Sequence, residues 1–193
     1  MAGRKASKFL TYILRHNGID DFGLKFDSGG YTSIDAVLAL KDMKGVNKTQ
    51  LENIVKDNDK QRFTIKDNMI RANQGHSGTI AECIKPESIF TKINDSSEIP
   101  ICVHGTTKAN WKLIEKLGLS KMNRQFIHLA IGSPGEQTVI SGMRNNSPVR
   151  IYINVEKAME AGMVFYFSDN KVILTDGIDG FIPPEYFKKI TFL

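Results

Sequence analysis

The chain has 193 residues, a net charge of +5 and an isoelectric point near 9.1, with 41% apolar and 24% charged residues. That is a globular composition, enough for one ordinary domain or two small lobes. No apolar run approaches the ~20 residues of a membrane span, and the basic, briefly apolar start Met1–Leu10 lacks a secretory signal core. A cytoplasmic protein without a membrane partner is expected.

The positive excess is +3 over residues 1–97 and +2 over the remainder. A polyanionic partner would therefore meet a few converging side chains rather than a basic tail. Cys83 and Cys102 read as buried thiols. Neither CxxC nor HExxH is present, so no metal site is expected.

In chain order, Phe9, Leu10, Ile13 and Leu14 mark the apolar stripe of a first helix. It should end near Arg15-His16, with Asn17-Gly18 as its stop. A polar turn follows at Ser28-Gly29-Gly30. Ser33 can cap a second helix carrying Ile34, Val37, Leu38 and Leu40. Asn47 can cap a third, with Gln50 completing a capping box and Val46 stapled to Leu51. Phe63 and Ile65 alternate with polar residues, Lys66-Asp67-Asn68 turns the chain, and Met69-Ile70-Arg71 returns. Three helices and a hairpin describe a winged helix, a module that binds nucleic acid or protein.

The polar stretch 85–98 reads as the boundary between an N-terminal lobe, 1–92, and a C-terminal lobe, 98–193. The second lobe is mostly strands. Ile99 to Val103 runs into His104-Gly105-Thr106. Thr107 can cap a helix with Trp111, Ile114 and Leu117 inward and Gly118 as its stop. Phe126 to Leu129 and Val149 to Ile153 read as strands, and a short helix then ends at Gly162. Met163–Phe167 and Lys171–Leu174 flank Ser168-Asp169-Asn170 as a hairpin. The expected class is α+β.

Four histidines, His16, His76, His104 and His128, sit beside glycine, arginine or an element end. Each alone reads as readily as a hydrogen-bonded structural residue. Arg15, Arg71 and Arg124 each read alone as a surface charge. Converging, they would suit a phosphate, because a guanidinium fork matches its oxygens and cannot be titrated away. The chain has no GxGxxG, Walker A or Gly-x-Ser-x-Gly motif. Neither cysteine has a basic sequence neighbour, and no carboxylate pair stands out. The expected chemistry rests on histidine, arginine and backbone groups.

Several segments together resemble the RNA (tRNA) 2'-phosphotransferases. They are Ser7-Lys8-Phe9-Leu10 through Leu14-Arg15-His16, Arg62-Phe63, Ile70 to Ser77, Val103 to Thr106, Arg124 through Ala130, Ile140 to Arg144, and Phe165-Tyr166 through Thr175 to Phe187. Arg71-Ala72-Asn73-Gln74-Gly75-His76-Ser77 and His104-Gly105-Thr106 are the most specific.

The resemblance implies a winged-helix RNA lobe followed by an ADP-ribosyltransferase-like, β-rich NAD lobe. It implies transfer of an RNA 2'-phosphate, as at a tRNA splice junction, to NAD as co-substrate without a metal. The products are 2'-OH RNA, nicotinamide and ADP-ribose 1'',2''-cyclic phosphate. The family's tetrad falls on Arg15, His16, Arg71 and Arg124, and its NAD residues on His104, Gly105, Thr106, His128 and Ser141. An apolar residue near Val172 or Ile173 stands where many ADP-ribosyltransferases place a glutamate. A monomer is expected.

Two departures stand out: Phe126 where many relatives have histidine, and Met69 where some have a basic residue. The alternatives are ADP-ribosylation of another nucleic-acid phosphate, a non-catalytic winged-helix binder, and an NAD-sensing domain without catalysis.

Overall fold

The computed structural model describes residues 2–132 and 146–193. The chain is α+β and divides into two compact units, Met1–Ile89 and Phe90–Leu193.

In the first unit, α1 (Ala2–Tyr12) continues as one wider turn of π-helix, Ile13–Asn17. Such turns are rare and concentrate at functional sites. Here the turn carries Arg15 and His16. Leu10, Ile13 and Leu14 are fully buried, as their spacing requires, and pack with Ile34, Val37, Met43, Leu51 and Ile70. The helix ends where expected, for a different reason. Gly18 has φ −63°, an ordinary right-handed value. Glycine is needed there for room, since a Cβ would lie 2.2 Å from the Ile13 carbonyl oxygen.

Ser33 caps α2 (Ile34–Leu38) through the Ala36 N–H. The Asn47–Gln50 capping box opens α3 (Lys48–Lys56). A three-stranded antiparallel sheet, in order β1-β3-β2, is formed by β1 (Thr32–Ser33), β2 (Phe63–Lys66) and β3 (Met69–Ala72). Asp67 and Asn68 both have positive φ, as a two-residue type I′ hairpin turn demands. Two short helices follow, α4 (Gly78–Cys83) and α5 (Pro86–Ile89).

The stretch 85–98 is not a plain linker. Beside α5 it supplies β4 (Thr91–Ile93), an edge strand of the second unit. The polar pattern fits an edge: Thr91 and Lys92 are exposed and only Ile93 faces the core.

The second unit is built on a seven-stranded antiparallel sheet in the order β12-β8-β5-β7-β10-β9-β4. Its members after β4 are β5 (Cys102–Thr106), β7 (Ile127–Ile131), β8 (Val149–Ile153), β9 (Phe165–Phe167), β10 (Val172–Thr175) and β12 (Phe187–Phe192). β6 (Leu119–Ser120) and β11 (Phe181–Ile182) form a separate small pair. α6 (Lys108–Leu117) and α7 (Val155–Glu160) complete the unit. Leu129, Ile151, Phe165 and Ile173 anchor its core.

Thr107 caps α6, and Gly118 ends it with φ +90°, both as expected. Leu117 does not point inward: it is 64% exposed, as is Leu113. Cys83 likewise departs from expectation, being exposed at the end of α4, while Cys102 is buried. Burial drives the Cys102 thiol well above its ordinary pKa, so it is no nucleophile. Among the described residues no helix is long and apolar enough to cross a membrane.

Candidate functional site

The first unit gathers Arg15, His16 and Arg71 around a residue with no role assigned above, His76. The segment after β3 wraps over the π-turn. The Ser77 N–H donates to the Arg15 carbonyl (2.9 Å), and the His16 Nδ1 shares a 2.8 Å hydrogen bond with the Ser77 hydroxyl. Gly75 makes this wrap possible. Its φ is +88°, and a Cβ there would lie 3.3 Å from Arg15 Nη1. Asn73 pins the segment's start, accepting from the Thr64 hydroxyl at 2.6 Å and donating to the Gln61 carbonyl at 2.7 Å.

Arg71 is only 7% exposed. One of its terminal nitrogens donates to the Gly29 carbonyl at 3.2 Å, and its guanidinium carbon lies 4.7 Å from the centre of the Tyr31 ring. A desolvated cation–π contact of this kind contributes about 2 kcal/mol.

His76 is 1% exposed, and neither ring nitrogen makes a hydrogen bond of good geometry. Its pKa is pushed down to about 3, first by burial and then by the charges of Arg15, Arg71 and His16, against an opposing pull from the Ala72 backbone. Every side-chain charge acting on it is thus positive. His76 is neutral at physiological pH, held within a cluster that prefers an anion.

The second unit places His104, Thr106, Arg124 and His128 around one cleft of about 610 Å³, within the range of small-molecule sites. His104, Thr106 and His128 come from the sheet, whereas Arg124 comes from the stretch between β6 and β7. The β5–β7 ladder pairs only Cys102 with Ile131 and Val103 with Ala130. Beyond that point His104 Nδ1 instead donates to the backbone carbonyl of His128 (3.0 Å). The side-chain period of 2 puts His104 in step with Cys102 and Thr106, and His128 in step with Ala130.

Burial holds the His104 pKa below its ordinary value, with Arg124 adding to the effect and the bond to His128 opposing it. A neutral His104 that donates through Nδ1 leaves Nε2 as an acceptor. The cleft also has an apolar lining that includes Leu113, Leu117, Met122 and Phe181, all four exposed. The outward Leu117 is thus part of the cleft.

The structure therefore sorts the expected tetrad. Arg15, His16 and Arg71 belong to the first unit, whereas Arg124 belongs to the second with His104 and His128. Gly105 stands opposite Arg150 in the β5–β8 ladder and is not among the residues lining the cleft. Ser141 and the segment Ile140 to Arg144 lie outside the described residues. Val172 and Ile173 are fully buried apolar side chains.

Phe126, one of the two departures, is buried with its ring 5.4 Å from that of Phe90 and 5.8 Å from that of Tyr166. An aromatic cluster has claimed that position. Sequence reasoning missed His76 as a member of the cationic cluster, although its glycine neighbour marked it. Tyr31 carried no signal beyond following a glycine turn.

The family model described as RNA 2'-phosphotransferase, Tpt1 / KptA family, matches residues 2–177. The chain belongs to this family. It is 42% identical over 189 residues to a putative tRNA 2'-phosphotransferase of Schizosaccharomyces pombe, covering 95% of this chain and 50% of that protein. It therefore spans half the length of that relative. It is 40% identical over 193 residues to the tRNA 2'-phosphotransferase 1 of Danio rerio (96% of this chain, 84% of the relative). A probable RNA 2'-phosphotransferase of Rhizobium johnstonii is 32% identical over 186 residues (96% and 93%).

Proposed function

We propose that this chain is an NAD-dependent RNA 2'-phosphotransferase acting on tRNA or another RNA with an internal 2'-phosphate. The observation that carries this reading is the cluster of half-buried Arg15 and His16 and buried Arg71 around a neutral, buried His76. Two guanidinium groups fixed in a water-poor setting can neutralise and orient a phosphate dianion without being titrated away. The first unit would then serve as a winged-helix RNA lobe, and the second as an ADP-ribosyltransferase-like NAD lobe.

The second-unit cleft fits the co-substrate. Its apolar lining suits flat rings, and the acceptor Nε2 of His104 suits a ribose hydroxyl. NAD supplies an electrophilic anomeric carbon bearing nicotinamide as leaving group. An oxygen of the RNA 2'-phosphate forms a bond to that carbon as the bond to nicotinamide breaks. The neighbouring 2''-hydroxyl then attacks phosphorus and expels the RNA 2'-oxygen, which leaves as a hydroxyl. The products are 2'-OH RNA and ADP-ribose 1'',2''-cyclic phosphate. A phosphate monoester is already anionic, so the first attack needs no general base, in keeping with the apolar Val172 and Ile173. Arg15, Arg71 and Arg124 would stabilise the charge that builds on phosphorus in the second step, and His16 would contact the reacting phosphate or hydroxyl.

An RNA carrying one radiolabelled internal 2'-phosphate tests this reading when incubated with and without NAD in the presence of EDTA. NAD-dependent transfer of label into ADP-ribose cyclic phosphate is the expected result. Label that stays on RNA as an ADP-ribosyl adduct would place the chain among enzymes that perform only the first step. No transfer by folded protein would overturn the reading.

A further inference from the structure

The turn that faces Arg71 has no role in the chemistry above, yet its geometry is closely specified. The Asp27 carboxylate accepts from the N–H groups of Gly29 (2.9 Å) and Tyr31 (2.8 Å). The Asp27 N–H donates to the Tyr31 carbonyl, and the Gly30 N–H to the Asp27 carbonyl, both at 3.0 Å. Gly30 has φ +73°, which favours glycine, and a Cβ there would lie 3.8 Å from His76 Nε2 and 3.1 Å from Ile84. The Lys85 N–H ties the turn down from outside by donating to the Ser28 carbonyl (3.0 Å). The turn then enters β1, where Thr32 pairs with Ile70. One step back along this antiparallel register, Tyr31 comes opposite Arg71. The turn thus gives Arg71 a carbonyl at its edge and a ring on its face.

We propose that Tyr31 is a positioning residue for phosphate recognition, its ring fixing the plane of the Arg71 guanidinium so that the in-plane N–H groups meet the RNA 2'-phosphate. A guanidinium donates only within its plane, so the orientation of the plane decides where a bidentate anion can dock. The Gly29 carbonyl meets one edge of the guanidinium, and the flat ring lies against its face, where it resists tilting of the plane. Aromaticity of residue 31 therefore matters, and its hydroxyl does not. This inference rests on the reading of Arg71 as a phosphate ligand.

The experiment compares affinity for a short RNA bearing one internal 2'-phosphate with affinity for the same RNA bearing a 2'-hydroxyl, without NAD, by fluorescence anisotropy. The full chain is used, with thermal unfolding of each variant alongside. The ratio of the two affinities isolates phosphate recognition from general RNA binding. Tyr31→Leu is expected to lower the ratio about ten-fold, equivalent to about 1.4 kcal/mol, and Tyr31→Phe to restore it. Arg71→Ala should abolish it. Tyr31→Met, which fills the space without a ring face, replaces Tyr31→Leu if the latter unfolds, and should show the same loss. A ratio preserved in the Leu or Met variant while Arg71→Ala loses it overturns the role of Tyr31 and leaves the phosphate site standing. A ratio that Tyr31→Phe fails to restore also overturns it. A ratio preserved in Arg71→Ala refutes the underlying site.

Discussion

Replacing His76 by glutamine should flatten the acid dependence of stability. His76 is 1% exposed, and its pKa is lowered from 6.5 to about 3, chiefly by burial and then by Arg15, Arg71 and His16. In the native chain the ring refuses a proton that the unfolded chain accepts. Its contribution to stability is therefore whole above pH 6.5 and is lost as the pH falls from about 6.5 towards about 3. At about 1.36 kcal/mol per pKa unit, the full loss is about 5 kcal/mol, of which about 2 kcal/mol falls between pH 7 and pH 5. That is a large share of a marginal stability of roughly 5–15 kcal/mol. Urea unfolding of wild type and His76→Gln at pH 7 and pH 5, followed by circular dichroism, measures it. Carboxylates titrate alike in both proteins, so the difference between the two pH dependences isolates residue 76. Wild type should lose about 2 kcal/mol more than the variant on going to pH 5. Parallel losses would refute the account of His76 as a buried neutral ring among cations.

Three further outcomes are expected. Arg71→Ala and Arg124→Ala should each slow release of ADP-ribose cyclic phosphate by about 10²–10³-fold, the range for losing a charge-stabilising group, with ADP-ribosylated RNA accumulating on thin-layer chromatography. Full turnover by both would remove the phosphate-clamp assignment. Gly75→Ala forces a side chain to φ +88° and sets a Cβ 3.3 Å from Arg15 Nη1; it should cost about 1–3 kcal/mol in urea unfolding and raise the KM for 2'-phosphorylated RNA, whereas an unchanged KM would show that Arg15 does not depend on the wrap. His104→Phe removes the Nε2 acceptor and should raise the KM for NAD at least about ten-fold, about 1.4 kcal/mol, with the KM for RNA unchanged; an equal rise in both would indicate a disturbed fold instead.

What could be read from the sequence was whatever is decided within a few residues. The Asn47–Gln50 box, the Thr107 cap, the Gly118 stop and the Asp67-Asn68 turn all form as expected, because each satisfies local backbone groups. The departures come where distant neighbours decide. Gly18 is selected by the Ile13 carbonyl and the Phe26 ring rather than by its own φ. Leu117 sits at an apolar helical spacing but has a cleft beside it instead of a core. The stretch 85–98 lacked apolar alternation, yet β4 pairs with β9 over seventy residues away, since an edge strand needs one buried side chain and a free partner rather than a pattern.

The functional residues divide in the same way. Arg15, Arg71 and the histidines were visible because arginine and histidine in glycine-rich settings are themselves a chemical signal. What orients them was not. Tyr31 reaches Arg71 only through the antiparallel register of β1 with β3, and His16 reaches Ser77 across 61 residues. The protonation states are a property of the fold alone. Each unit withdraws a histidine from water, His76 fully and His104 in part, and places arginine charge on it, so that both are held below their ordinary pKa. Both rings are then neutral while arginine supplies the charge. For His104, donation to the His128 carbonyl leaves Nε2 as an acceptor, a capacity that arginine, lysine and a protonated histidine all lack. A site that must hold an anion and also meet hydroxyl groups needs both kinds of side chain. Burying histidine beside arginine provides them without adding a second positive charge.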